Sequence, residues 1–291
     1  MAAILGIGVA VLDIVLSVDG YPAEDAKLRA AARRMACGGN AANTLTVLAT
    51  LGHRCGLAST LAADADGERL TAELRARNID LSPARVHPAD STPVSYIFHN
   101  VANGSRTIVH YRTLPELTTD DFARVELDAW DWLHFEGREI EATAGMMERA
   151  LAAGKTLSLE VEKPRPGIER LFPLASALIF SRAYVESLGT GAAEFLDQLR
   201  GRLPGRQLFC AWGADGAWTV DADGKPLHTP PWIPPRIVDT LGAGDTFNAG
   251  IIDGLVRGRP PAETLTAACR LAGEKCGGIG LPATGAWSMD S

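Results

Sequence analysis

The sequence has no dense Lys/Arg run: 28 basic and 35 acidic residues are mixed along 291 positions, with a formal net charge of −7. This excludes an electrostatic footprint for nucleic acid or a membrane surface, and a mild acidic excess implies only a solvated exterior. Apolar runs stop short of the roughly 20 residues that span a bilayer. The opening Met1-Ala2-Ala3-Ile4-Leu5-Gly6 carries no basic segment, and Asp13 interrupts the first apolar stretch. A secretory leader is therefore not expected, and a reducing cytoplasm is the expected location. The five cysteines, Cys37, Cys55, Cys210, Cys269 and Cys276, are scattered without close pairs. They predict neither a disulfide framework nor a zinc site, but small buried apolar residues. The six histidines form no helical metal-ligating pair and read as structural or surface groups. No low-complexity tract occurs, and an apolar content of 46% suffices for one substantial core.

Two familiar nucleotide motifs are also missing. Gly6-Ile7-Gly8-Val9-Ala10 opens like a dinucleotide fingerprint, but Val11 stands where the third glycine is needed and no helical pattern follows. No P-loop lysine motif is present. Phosphate recognition, if the chain has it, must come from elsewhere.

What is present is alternation. Short apolar runs at residues 3–11, 57–62, 157–161, 177–180 and 207–212 read as buried strands. Between and after them, helical patterns run over 41–51, 67–77, 143–153, 192–202, 244–256 and 260–276. This rhythm predicts an α/β protein with a parallel sheet covered on both faces. Residues 15–36 and 91–113 break it with polar alternation. Ser95-Tyr96-Ile97-Phe98-His99 and Thr107-Ile108-Val109-His110-Tyr111 flank Asn103-Gly104, the pattern of a hairpin. A small β-lid inserted into a single α/β body is expected, formed mainly by residues 13–36 and 91–113.

The strongest chemical signal is Val238-Asp239-Thr240-Leu241-Gly242-Ala243-Gly244-Asp245-Thr246-Phe247-Asn248-Ala249-Gly250. Small residues at 242–244 let the backbone turn tightly, and the following pattern makes them a helix start, where free amides and the dipole favour a phosphate. Asp245 then lies within about one turn of the transferred group and can accept a proton from an attacking hydroxyl. The alternative is a helix entry capped by Asp245. So close to a helix start, the aspartate is expected to be ionised at neutral pH and thus a weak base.

A second block, Cys37-Gly38-Gly39-Asn40-Ala41-Ala42-Asn43, allows close backbone approach and sets two amides three residues apart at a helix start. Such amides can donate to and accept from sugar hydroxyls, although Asn40 could instead cap the helix. Asp13 is read as ending an apolar strand, at the carboxyl edge where ligands of parallel sheets gather.

The Gly-Ala-Gly-Asp block resembles the C-terminal signature of the ribokinase-like, phosphofructokinase-B type carbohydrate kinases, and Gly38-Gly39-Asn40 resembles their sugar-binding glycines. Within that family the likeness leans to the ketohexokinase branch. Leu133-His134-Phe135-Glu136-Gly137-Arg138, Glu160-Val161-Glu162-Lys163-Pro164-Arg165 and Gly104-Ser105-Arg106-Thr107-Ile108 carry it, with Ala272-Gly273-Glu274-Lys275-Cys276-Gly277 near the end. The likeness runs in order along nearly the whole chain.

The resemblance implies a three-layer α/β/α sandwich of ribokinase-like type with a small β-sheet lid. It implies ATP-dependent phosphorylation of a sugar hydroxyl, on a ketohexose such as fructose at its C1 hydroxyl, with Mg²⁺ and a monovalent cation such as K⁺. Asp245 would be the base and Gly242, Ala243 and Gly244 the anion hole. Asp13, Asp25, Gly39, Asn40 and Asn43 would hold the sugar, although Asp25 could be a solvated loop charge. Arg106 would reach the phosphates, and Trp212, Gly213, Gly216, Trp232, Cys269 and Ala272 would line the nucleotide site. Alternatively, Trp232 packs on the surface and Cys269 and Ala272 in the core. Glu160 and Glu162 are candidates for water-mediated Mg²⁺ contact; they are expected to face opposite sides of their strand, so that at most one serves.

The family's Asn-x-x-Glu motif is missing at Phe180-Ser181-Arg182-Ala183-Tyr184, as the ketohexokinase branch also implies. A homodimer through the lid is expected, with sugar and ATP as the small-molecule partners. Another sugar or a modified ketose remains open as substrate, as does a non-catalytic sugar- or nucleotide-binding regulator of the same fold.

Overall fold

Nine strands form the central sheet, in the order Pro226–Thr229, Ala217–Val220, Gln207–Ala211, Ala177–Ser181, Thr156–Val161, Trp132–Glu136, Ala3–Ile7, Arg54–Ala58 and Ile79–Asp80. The computed structural model describes residues 1–221 and 223–281. The seven strands from Gln207–Ala211 to Ile79–Asp80 pair in parallel, and an antiparallel hairpin extends the other edge. The chain starts in the middle of this sheet, builds outward through Arg54–Ala58, then returns to the far side of its first strand with Trp132–Glu136. Strand order reverses there. In open α/β sheets such a reversal leaves a crevice at the carboxyl ends of the two central strands, where ligands bind.

Side-chain alternation builds two cores. Leu5, Ile7, Leu133, Phe135, Leu157, Leu159, Leu178 and Phe180 pack on one face against the helices Ile140–Ala152 and Ala192–Arg202. Ile4, Trp132, Ile179 and Phe209 pack on the other with Asn40–Thr50, Ala243–Val256 and Pro261–Cys276. Each fully buried Leu, Ile or Phe contributes roughly 1.5–3 kcal/mol, so both layers are held by apolar burial rather than by surface ion pairs. The helix Ala243–Val256 is buried from Asp245 to Gly254 because small residues admit its neighbour: a Cβ on Gly250 would lie 2.7 Å from Ala268 Cα. Among the described residues, no helix is long and apolar enough to cross a membrane.

A second sheet has the order Ala32–Gly38, Val11–Val18, Val94–Asn100, Arg106–Tyr111. The expected hairpin forms, with Ile97 opposite Ile108. Residues 3–11 are not one strand, however. The first strand stops at Ile7, and Val11 opens a strand of the second sheet. The break follows from packing: a Cβ on Gly8 would lie 2.4 Å from Glu136 Oε1, and the Val9 amide turns to donate to that oxygen at 3.1 Å. Residues 57–62 likewise divide, since Thr60–Ala62 leaves the main sheet to pair with Arg85–His87. Of the cysteines, Cys55, Cys210 and Cys269 are buried as expected, whereas Cys37 and Cys276 are half-buried.

Candidate active site

Asp245 lies in the first turn of Ala243–Val256, behind Gly242, whose φ of 80° is a conformation glycine adopts without strain. It does not cap its helix: the preceding residue at the cap is Gly242, with no side-chain cap bond. Instead Asp245 Oδ2 accepts from Asn43 Nδ2 at 2.7 Å, and the Asp245 carbonyl faces the Thr44 hydroxyl at 3.3 Å. The carboxylate is 8% exposed. Burial raises its pKa well above the usual carboxylate range, the Asn43 hydrogen bond opposes this, and the charges of Glu136, Glu162 and Asp13 add to it. This reverses the expectation of a weak base. Burial among like charges outweighs the helix dipole, so the group gains basicity.

In front of Asp245, the helix start leaves amides that have no intrahelical partner. The Ala243 amide donates at 3.3 Å to the Thr240 carbonyl, and a Cβ on Gly244 would meet open space. Room for an anion therefore lies at Gly244, whereas the Ala243 amide is already engaged.

Asn40 and Asn43 sit at the start of Asn40–Thr50, again without a cap role for Asn40; the cap is Gly39, at φ 100°. A Cβ on Gly39 would lie 2.2 Å from the Val9 carbonyl oxygen, and one on Gly38 would lie 2.2 Å from Asp13 Oδ2. Gly39, at positive φ and against backbone, requires glycine, whereas a side chain on Gly38 would displace the Asp13 carboxylate. Asn40 Nδ2 donates to Glu160 Oε1 at 3.1 Å.

Asp13 is not at the end of a strand of the main sheet. It is the third residue of Val11–Val18 in the small sheet, buried, and burial raises its pKa to about 6 against the opposing Ser95 hydroxyl and Arg34 charge.

One member of the cluster has no role assigned from the sequence. Glu136 ends the strand Trp132–Glu136 at the point where strand order reverses, and it is the register partner of Glu160 on the neighbouring strand. Its Oε1 accepts from Ala41 N at 2.6 Å and Val9 N at 3.1 Å, joining both glycine-bearing loops. Burial pushes its pKa up to about 7, with those amides and Arg138 pulling the other way. A carboxylate closing an otherwise apolar run, Leu133-His134-Phe135-Glu136, is the signal that could have found it.

Glu160 is buried, with Oε2 lacking a hydrogen-bond partner among the described residues. Burial raises its pKa strongly, and Asp245 and Glu136 add to the effect. The expectation that Glu160 and Glu162 face opposite sides of one strand does not hold: positions two apart on a strand share a side, and Glu162 lies beyond the strand end with its charge close enough to act on Glu160. The two differ because the strand ends at Val161, leaving Glu162 exposed while its charge still reaches both Glu160 and Asp245.

The remaining candidates are less gathered. Arg106 Nη1 donates to Thr240 Oγ1 at 2.8 Å, which puts it beside the Gly242 loop. Asp25 is exposed in the connection before Ala32–Gly38, at φ 59°, and makes no side-chain hydrogen bond among the described residues. Trp212 stacks under the Arg182 guanidinium at 5.3 Å, ahead of the turn Gly213–Asp215. Gly216, at φ 85°, would drive a Cβ to 2.1 Å from the Thr229 carbonyl oxygen. Trp232, partly exposed, rests its carbonyl against Gly273, next to Ala272 and one turn from the buried Cys269. The two fully buried histidines play structural parts: His134 Nδ1 meets Ser158 Oγ at 2.9 Å, and His53 Nε2 meets Asp253 at 2.8 Å.

A buried carboxylate in the first turn of a helix, open space beside Gly244 and the buried Glu136 and Glu160 form one polar cluster, and the family match makes the protein a phosphotransferase. The chain belongs to the pfkB family of carbohydrate kinases, whose model matches residues 1–283. It is 40% identical over 285 residues to ketohexokinase from Mus musculus, covering 94% of this chain and 96% of that one. It is 30% identical to fructokinase from Rhizobium leguminosarum bv. trifolii, over 75% of this chain and 71% of that one. In fold it is similar to ribokinase from Thermotoga maritima, with a TM-score of 0.79 at 20% identity, covering 98% and 97% of the two chains. Arabidopsis thaliana ribokinase, solved with ribose and ATP, also gives 0.79, at 21% identity and over 96% and 94% of the chains. The sheet order and these likenesses bear out the ribokinase-like α/β sandwich.

Proposed function

We propose that the chain transfers the γ-phosphoryl group of ATP to the C1 hydroxyl of a ketohexose, fructose foremost. The observation that carries this reading is the buried Asp245 carboxylate, held by Asn43 at 2.7 Å one turn into the helix that follows Gly242. The 40% identity to mouse ketohexokinase directs it to fructose.

Asp13, Gly39, Asn40 and Asn43 hold the sugar, and Glu136 joins them as an acceptor for a hydroxyl. Buried carboxylates suit a neutral polyol because they only accept, and a sugar hydroxyl supplies the donor. Asp245 takes the proton of the attacking hydroxyl as its oxygen bonds to the γ-phosphorus and the bond from that phosphorus to the bridging β-phosphate oxygen breaks, with ADP as the leaving group. The amides of Gly242, Ala243 and Gly244 stabilise the charge on the transferring group, and Arg106 approaches from the small sheet acting as a lid. Trp212, Gly213, Gly216, Trp232, Cys269 and Ala272 line the nucleotide side.

Mg²⁺ fits one feature of the site. The buried Glu160 Oε2 lacks a protein partner among the described residues, and a single carboxylate with waters and phosphate oxygens suits this ion. Bound there, Mg²⁺ would neutralise charge on the β- and γ-phosphates, with Glu162 adding to the local negative field. The reading includes a homodimer through the small sheet, whose exposed Tyr96, Ile108, Val109 and Tyr111 offer an apolar surface; sedimentation velocity reads this directly.

The test is ATP consumption with fructose, tagatose, ribose and adenosine in Mg²⁺ and K⁺ buffer, for the parent and Asp245→Asn. Fructose is expected to be the best substrate, and the variant to lose turnover by orders of magnitude while still binding sugar. No turnover of fructose, or equal rates with all four, removes the ketohexose assignment. Undiminished turnover in the variant removes Asp245 as the base.

A further inference from the structure

Two side chains of the small sheet reach onto consecutive residues of the segment that leads into Gly242. Arg34, on Ala32–Gly38, donates from Nη2 to Asp239 Oδ2 at 3.3 Å, and Arg106 donates to Thr240 Oγ1 at 2.8 Å. The body holds Asp239 from the other side. Leu241 N donates to Oδ1 at 2.9 Å and Gly280 N to Oδ2 at 3.0 Å. Lys275, its side chain wholly buried, donates to the Asp239 carbonyl at 2.6 Å and stands 3.7 Å from Oδ2. The Asp239 carboxylate is therefore a node with one partner on the small sheet and the rest on the body.

Arg34 also stands where two cavities of about 250 Å³ meet. One contains Asp13, Asn43 and Gly242; the other contains His99, Arg106 and Thr240. Arg34, Leu241 and Ile279 line both. In the register of the small sheet Arg34 pairs with Val15 and Asp13 with Ala36, so Arg34 and Asp13 share a face.

We propose that Arg34 is a positioning residue for phosphoryl transfer: by gripping Asp239 it ties the small sheet, which carries Asp13, to the loop that carries the anion-binding amides. This rests on the reading of Gly242 to Asp245 as the phosphoryl-transfer loop. The sugar contact and the anion loop belong to different parts of the fold, and their relative position must be right to a fraction of an ångström; a misplacement of about 1 Å can cost a hundredfold in rate. Asp239 keeps its bonds to Leu241, Gly280 and Lys275 when Arg34 is lost, so the consequence of that loss is chiefly geometric.

The test compares Arg34→Gln, Arg34→Lys, Asp239→Asn and the Arg34→Gln/Asp239→Asn double variant, using the best sugar of the panel above. The readouts are kcat, KM for sugar and ATP, sugar Kd by calorimetry without ATP, and melting temperature. Arg34→Gln is expected to lower kcat by about tenfold with sugar Kd and melting temperature nearly unchanged. Arg34→Lys should recover part of the loss, and the double variant should be no slower than Asp239→Asn alone. An unchanged kcat in Arg34→Gln overturns the proposal. So does a loss confined to sugar Kd, which would make Arg34 a direct sugar contact, or rate losses that multiply in the double variant. If Asp245→Asn is inactive while Arg34→Gln runs at the parental rate, only this proposal fails; if Asp245→Asn turns over normally, the underlying reading fails whatever Arg34 does.

Discussion

Replacing Glu136 by Gln should stabilise the protein, and the gain should grow with pH. Glu136 is 5% exposed, and burial raises its pKa from 4.5 to about 7. A group whose acid form is favoured in the folded state contributes stability that is complete below the unfolded pKa and lost as pH rises through the folded one. The window is therefore about pH 4.5 to 7. At about 1.36 kcal/mol per unit of pKa, ionising Glu136 in place costs on the order of 3 kcal/mol by pH 8. Glutamine does not titrate, and its carbonyl can still accept from Ala41 and Val9, which meet the same oxygen in the parent. The melting temperature of both proteins, measured without ligands from pH 5 to pH 8, gives the comparison. At roughly 2–4 °C per kcal/mol for a chain of this size class, the two curves should separate by about 5–10 °C more at pH 8 than at pH 5. Removing this charge also relieves Glu160 and Asp245, which widens the separation. Two curves that run parallel across the range would refute the reasoning, since Glu136 would then ionise in place without penalty.

With Asp245 as the proposed base, the acid limb of kcat/KM should lie above the ordinary carboxylate range near 4, because burial holds its proton on; a limb at or below pH 4 would contradict the site's electrostatics. Gly39→Ala should destabilise the fold by about 1–3 kcal/mol and weaken sugar binding, since its φ is 100° and its Cβ would lie 2.2 Å from the Val9 carbonyl oxygen. Chemical denaturation and sugar calorimetry check this, and a variant of parental stability would show that the two loops can separate freely.

Much of the body was legible because its signals are local. Alternating apolar runs and helical patterns placed Thr156–Val161, Ala192–Arg202 and Ala243–Val256 to within a residue or so, and Asn103-Gly104 announced the hairpin. What escaped depends on contacts distant in sequence. Nothing local ends the first strand at Ile7; Glu136, some 130 positions away, needs the space that a Gly8 side chain would fill. The same long-range fact hid Glu136 itself, whose partners come from Val9 and Ala41. The acidity of Asp245 was misjudged for a related reason. A sequence shows the helix start beside a carboxylate but not the depth at which it is buried. Glu160 and Glu162 differ because the strand ends between them at Val161, a boundary that the period of two along a strand does not show.

These long-range contacts also explain why the Gly-Ala-Gly-Asp block alone does not raise the proton affinity of its aspartate. On an exposed helix start the same four residues would hold an aspartate of ordinary acidity, favoured in its ionised form by the dipole. Here the reversal of strand order sets Trp132–Glu136 beside Ala3–Ile7, and Glu136 and Glu160 become register partners facing the helix that bears Asp245. Asn43, from a helix two hundred residues earlier in the chain, fixes the Asp245 carboxylate through a 2.7 Å bond, while Asn40 fixes Glu160. Like charges and burial then raise the affinity of Asp245 for a proton, and only the Asn43 hydrogen bond among the leading influences opposes them. The motif supplies the carboxylate and its amides; the sheet topology, by deciding what surrounds them, supplies the basicity.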